Sequence, residues 1–261
     1  MIFMADKIVI GLDAGHGGSS LGTNTAKTAQ DGVYEKTYAL ELCKMVRDRL
    51  EANGFSVFMT REDDTKPGNV SERAEMCVKA GCRYAVSIHF NGSANVAAKG
   101  TEVFVPYAEV IADIESGYSR YLGEIFSKRA PFARSNDYYD RNATYDKKLD
   151  VEKRRFEAFT KEKKDYFGFI RTAWEKGLSA DLLEVCFLTN PEDLSIYEAK
   201  KEQVATAIAR SIVEGYKKIY SGEPAPEIPE ETPPFEDREE LLERIDLLTE
   251  KLRQIHDLAQ V

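Results

Sequence analysis

Two of the three histidines in this 261-residue chain stand where chemistry could be done. His16 and His89 each lie just past an apolar run of strand length, KIVIGL over 7–12 and RYAVSI over 83–88. Ligand crevices of open α/β sheets lie at the carboxyl ends of the strands, so two imidazoles arriving there from separate strands can share one metal ion. Catalytic zinc centres commonly take two histidines and one carboxylate and keep a position for water. Zinc lowers the pKa of such a water from about 15.7 to about 7 and polarises the attacked carbonyl. Glu35, at the start of a helical stripe, is placed to supply the carboxylate. On the residues alone, an ordinary favourable charge in a helix first turn is the preferred explanation of the same position. His256 lies beside an apolar seam near the end of the sequence and reads as a solvated bystander.

Glu184 is the other residue that asks for a reason. It interrupts Asp181–Leu188, whose remaining positions suit a buried strand. A buried carboxylate is costly unless it is paired, bound to a cation or protonated. Beside a metal it can carry a proton from attacking water to a leaving amine; a structural salt bridge to Arg or Lys is the competing reading. The loop Gly15-His16-Gly17-Gly18-Ser19-Ser20 lacks both the Gly-Lys-Ser/Thr ending and the G-x-G-x-x-G spacing of nucleotide-binding loops. Its glycines suit a backbone that passes close to a metal and a substrate.

The elements that must position these residues alternate strand with helix. Strands are expected at 7–12, 55–60, 83–88, 101–105 and 181–188. A helix is expected over 34–52, with Gly54 as a left-handed stop, and another over 70–80, capped by Asn69 with Glu72 three residues on and closed by Gly81. A further stripe runs from Ile111 to Ile125, and a last helix follows Pro191. This alternation predicts an α/β fold around a mostly parallel sheet. Residues 107–175 read as a charged, aromatic insertion, within which 134–165 have no legible conformation.

The catalytic domain is expected to span 7–220. The five prolines and repeated acids of 221–237 predict an extended, self-repelling linker. In 238–261, Leu241, Ile245, Leu248, Leu252, Ile255 and Ala259 form a short heptad seam, read as an amphipathic helix for self-association, against docking on the catalytic domain. Hydrophobic content of 43% and charge of 31% are ordinary for a soluble domain, and a net charge of −9 argues against nucleic acid as a partner. No run approaches membrane-spanning or signal-peptide length, so no membrane insertion and synthesis in the cytoplasm are expected. Cys43, Cys77, Cys82 and Cys186 read as buried thiols.

Six motifs together carry a resemblance: IVIGLDAGHGG, DGVYEK, VFMTREDD, SERAEMCVKAGCRYAVSIHFNGS, GTEVF and LLEVCFLTNPED, in this order over most of residues 7–220. They resemble the family-3 N-acetylmuramoyl-L-alanine amidases. The resemblance implies a three-layer α/β/α sandwich, zinc held by His16, Glu35 and His89, and Glu184 as the catalytic proton carrier. Arg73 and Asn91 match further retained positions in supporting roles. The implied reaction is hydrolysis of the amide between N-acetylmuramic acid and L-alanine in peptidoglycan. Synthesis without an export signal fits an endolysin that reaches the wall after a holin opens the membrane. The alternatives are a zinc peptidase or deacetylase on the same scaffold, and a wall-binding module without activity.

Overall fold

The computed structural model describes residues 8–25, 32–106, 113–126, 132–134 and 165–220. The elements are β1 (Val9–Ala14), α1 (Glu35–Ala52), β2 (Ser56–Met59), α2 (Val70–Lys79), β3 (Tyr84–Asn91), β4 (Glu102–Val105), α3 (Asp113–Ile125), β5 (Phe132–Arg134), α4 (Gly168–Glu175), β6 (Ser179–Phe187) and α5 (Pro191–Tyr220). They build one six-stranded sheet in the order β2-β1-β3-β6-β4-β5. The strands β2, β1, β3 and β6 run parallel, whereas β4 pairs antiparallel with β6 and parallel with β5. The expected α/β sandwich with a mostly parallel sheet is what forms. Linker 221–237, tail 238–261 and residues 135–164 lie outside the described residues.

The central strands are apolar on both faces because helices cover both. On one face Ile10, Leu12, Val86, Ile88, Leu183 and Val185 pack with Leu42 and Val46 of α1, Tyr118 and Leu122 of α3, and Ile208 and Ile212 of α5. Removing one such leucine typically costs about 2–5 kcal/mol. On the other face α2 and α4 bring Ala74, Cys77, Phe169 and Ala173 against Ala85 and Ala180. Helix α2 starts at Asn69, whose side chain accepts from Ser71 and Glu72 N–H while Glu72 reciprocates, the capping box expected from sequence. All four cysteines are free and buried, as expected.

Helices α2 and α4 have 10 and 8 residues, so they reach only about 15 and 12 Å at 1.5 Å per residue. Their apolar contacts cover the amino-terminal half of that face and end at Leu182 and Phe104. Beyond them, towards the carboxyl ends of the parallel strands, the same face carries polar side chains. The chain after β1 crosses on one face to β2, and the chain after β2 returns on the other to β3. The carboxyl ends of β1 and β3 are therefore a topological switch point, the usual place for a ligand crevice.

Three described elements, α3, β5 and α4, lie within the stretch read as an insertion. Helix α4 packs Ile170 against Phe104 and Leu182, and α3 belongs to the main core. Eight residues give barely two helical turns, too few for periodicity to stand out.

Candidate active site

Two of the three proposed ligands meet at the switch point, and the third comes from the helix that follows. His16 lies two residues beyond β1, and its backbone has φ 61°, the left-handed region that a residue with a Cβ seldom adopts. His89 was expected past a strand end but lies within β3. Strand pairing continues through His89↔Glu184 and resumes at Asn91↔Phe187 after a bulge, which re-aims the strand beside the site. Glu35 opens α1 and is buried to 3% exposure.

The three side chains converge. His89 Nδ1 lies 2.8 Å and His16 Nε2 3.1 Å from Glu35 Oε1. One donor atom from each residue fits within a set whose members are all within 4.8 Å of one another. The backbone N–H of Phe90 and that of Thr23 donate to the two Glu35 oxygens at 3.1 and 2.9 Å, fixing the carboxylate. Ser20 Oγ sits 3.0 Å from His16 Nδ1 and leaves Nε2 to face the site. Gly15 makes the close approach feasible, since a Cβ there would lie 2.5 Å from the His89 ring. Two imidazoles and a carboxylate at this spacing are a fit donor set for zinc.

Electrostatics mark the same cluster. Burial alone would raise the Glu35 pKa, yet hydrogen bonds and charge from His16 and His89 hold it well below the usual carboxylate range. Burial alone would lower that of His89, but Glu35, with smaller help from Glu184 and Asp13, lifts it to about 9. Both shifts favour a protonated His89 beside an ionised Glu35 when no metal is bound. The His89 contribution to stability is fully present below the unfolded pKa of about 6.5 and is lost as pH rises through about 9. Glu184, pushed up to about 8, acts in the same direction, because its partly buried carboxyl, with Oε2 shut off from water, resists ionising. Chelator-treated protein is therefore expected to melt at a lower temperature at pH 9.5 than at pH 6. Zinc should reduce or reverse this trend, because ligation needs a neutral imidazole. Scanning calorimetry checks it, and a higher melting point for the metal-free protein at pH 9.5 would contradict it.

Glu184 stands directly opposite His89 across β3–β6. Burial is the main cause of its raised pKa; His89 lowers it, and Glu35 and Glu102 raise it further. Its Oε2 is buried without a hydrogen-bond partner among the described residues. That fits a group kept ready for a reaction better than the salt-bridge reading.

Several contributors were not read from sequence. Arg61, 3% exposed, donates to the carbonyls of Ala14 at 2.9 Å, Gly15 at 2.8 Å and Lys36 at 2.7 Å. One guanidinium thus ties the residue before His16 to the residue after Glu35. Asp13, 2% exposed, accepts from Thr60 at 2.5 Å, Ser87 at 2.6 Å and Arg73 at 3.0 Å. Arg73 also donates to the carbonyls of Ala14 and His16, which gives this residue, singled out by motif alone, a physical task. Asn91, the other such residue, donates from Nδ2 to Glu102 Oε2 at 2.8 Å.

The family model described as N-acetylmuramoyl-L-alanine amidase matches residues 10–214, which contain every residue of this site. The chain belongs to that amidase family. Amidase AmiA of Salmonella typhimurium is 25% identical over 224 residues, covering 79% of this chain and 75% of that protein. The germination-specific N-acetylmuramoyl-L-alanine amidase of Bacillus subtilis is 26% identical over 223 residues, covering 78% of each. Among solved structures, the catalytic domain of CwlV from Bacillus (Paenibacillus) polymyxa var. colistinus superposes with a TM-score of 0.58 at 24% identity. That match covers 79% of this chain and 97% of the domain, so the two share a fold. The amidase is accordingly a hydrolase of peptidoglycan. Among its described residues, no helix is long and apolar enough to cross a membrane.

Proposed function

We propose that this amidase is zinc-dependent and cleaves the amide between N-acetylmuramic acid and L-alanine, with His16, Glu35 and His89 holding the metal and Glu184 carrying the proton. One observation supports it most: the three ligands converge, and Glu184 stands in register with His89 on the neighbouring strand. When bound, zinc supplies a Lewis acid that polarises the scissile carbonyl and makes water nucleophilic near neutral pH.

The chain's own residues do the rest. Glu35 is fixed by two backbone N–H groups at the point where both imidazoles converge. Arg61 and Arg73 hold the backbone carbonyls of Ala14, Gly15 and His16. Glu184 accepts the proton of the attacking water and returns it to the departing nitrogen, a role suited to a carboxyl whose proton affinity burial has raised towards neutral pH. A neighbouring cation would draw that affinity down, so that Glu184 starts the cycle ionised.

Mass spectrometry of a defined muropeptide digested by the zinc-loaded protein tests the bond. Products with a free L-alanine amino terminus and an intact muramic lactyl acid are expected. Loss of acetyl groups, or cuts inside the stem peptide, would instead favour the deacetylase or peptidase reading. The endolysin setting and self-association through 238–261 belong to the same proposal. They require lysis from within only once the membrane is opened, and a smaller assembly by light scattering when 223–261 are removed.

A further inference from the structure

We propose that Glu102 receives the amino group released by cleavage, so that the stem peptide leaves across β4 while the muramyl side stays over β1 and β3. This rests on the amidase reading of the site.

Strand register carries the inference. His89 pairs with Glu184 across β3–β6, and Glu184 pairs with Glu102 across β6–β4. Directly paired residues project from the same face of a sheet, with strands about 4.8 Å apart. His89, Glu184 and Glu102 thus form one row over three adjacent strands. The row below it contains Ser87, Leu182 and Phe104. Apolar packing ends there with Phe167 and Ile170, and the carboxylates begin one step beyond. Glu102 is only half-buried, and Asn91 fixes its Oε2 from just past the bulge.

The row has a direction. The carbonyl is polarised at its His89 end, beside His16 and Glu35, and the nitrogen must depart towards Glu184. One strand further on is Glu102. In the reaction the water oxygen bonds to the lactyl carbonyl carbon and the carbon–nitrogen bond breaks. The nitrogen gains both protons of the water, leaving a carboxylate and an ammonium. An α-amino group, with a pKa of about 7.7–8.0, is largely cationic at neutral pH. That cation forms between Glu184 and Glu102, whereas the new carboxylate forms on the metal side. A second carboxylate beyond the proton carrier suits a product that becomes positively charged only after cleavage.

The test is product inhibition of the zinc-loaded, full-length protein hydrolysing a soluble muropeptide. The probes are L-alanyl-D-isoglutamine, which has a free amine, and its N-acetyl form. In Glu102→Gln the inhibition constant of the free amine should rise about tenfold, the effect of losing one charge-assisted contact. That of the acetylated peptide should not move, zinc should remain at one per chain, and Glu102→Asp should recover part of the difference. Equal inhibition constants for the free amine in wild type and Glu102→Gln would overturn the proposal. Loss of zinc from Glu102→Gln would overturn it too, because the carboxylate would then be serving the metal ligands. Failure of the wild type to cut the muramyl amide would sink the amidase reading itself, and it shows before any variant is compared.

Discussion

Glu184→Gln is expected to lower kcat by about 10²- to 10⁴-fold, the contribution of a positioned acid–base group, while zinc content and melting temperature hold or rise. The substitution keeps shape and removes only proton transfer. Glu184 Oε2 is buried and without a hydrogen-bond partner among the described residues, so the carboxylate already stands at a disadvantage in the folded protein. A neutral amide relieves the burial penalty that pushes the carboxyl up to about 8. A purely structural residue would behave in the opposite way, losing stability and leaving turnover largely intact. Turnover within a few fold of wild type, or loss of zinc from the variant, would remove Glu184 from the chemistry.

The second large effect is on stability. Arg73→Ala is expected to destabilise the fold by about 3–5 kcal/mol, the range for breaking a buried ion pair from one side. The Asp13 and Arg73 side chains are 3% and 5% exposed, so neither charge finds water when the other is removed. Thr60 and Ser87 would still donate to Asp13, but among the described residues no other ion pair to it is formed. The same change removes the donor to the His16 carbonyl, where the backbone is held at φ 61°. Zinc affinity should therefore fall along with stability. Denaturant unfolding and a competitive chelator titration measure the two quantities. A loss below about 1 kcal/mol would show that the pair does not hold this loop.

How far the sequence spoke depends on the kind of signal each residue left. His16 and His89 were legible because each stands beside an apolar run, and Glu184 because a carboxylate in such a run needs a reason. Their alternatives could not be closed by spacing, since whether Glu35 faces His89 or water depends on how α1 docks on the sheet. Glu102 lies within GTEVF, where nothing in the sequence marks it for chemistry. A charged residue at the start of a four-residue strand is unremarkable until that strand is seen to pair antiparallel with β6, a non-local register. Arg61 precedes Glu62, Asp63 and Asp64 and so resembles a solvated charge run, yet three carbonyls turn it inward. His89 shows a shift of boundary, because β3 extends past its apolar stretch to Asn91. Helix α4 and β5 were missed because eight and three residues carry too little pattern.

The most direct test of the metal centre is zinc add-back. Protein stripped with a chelator would be titrated with zinc while release of L-alanine-terminated peptide from a soluble muropeptide is followed, with bound metal counted by elemental analysis. Activity should be absent at the start and rise linearly to a plateau at about one zinc per chain, and His16→Ala or His89→Ala should abolish both binding and recovery. Full turnover by metal-free protein, or recovery in either histidine variant equal to wild type, would contradict the account.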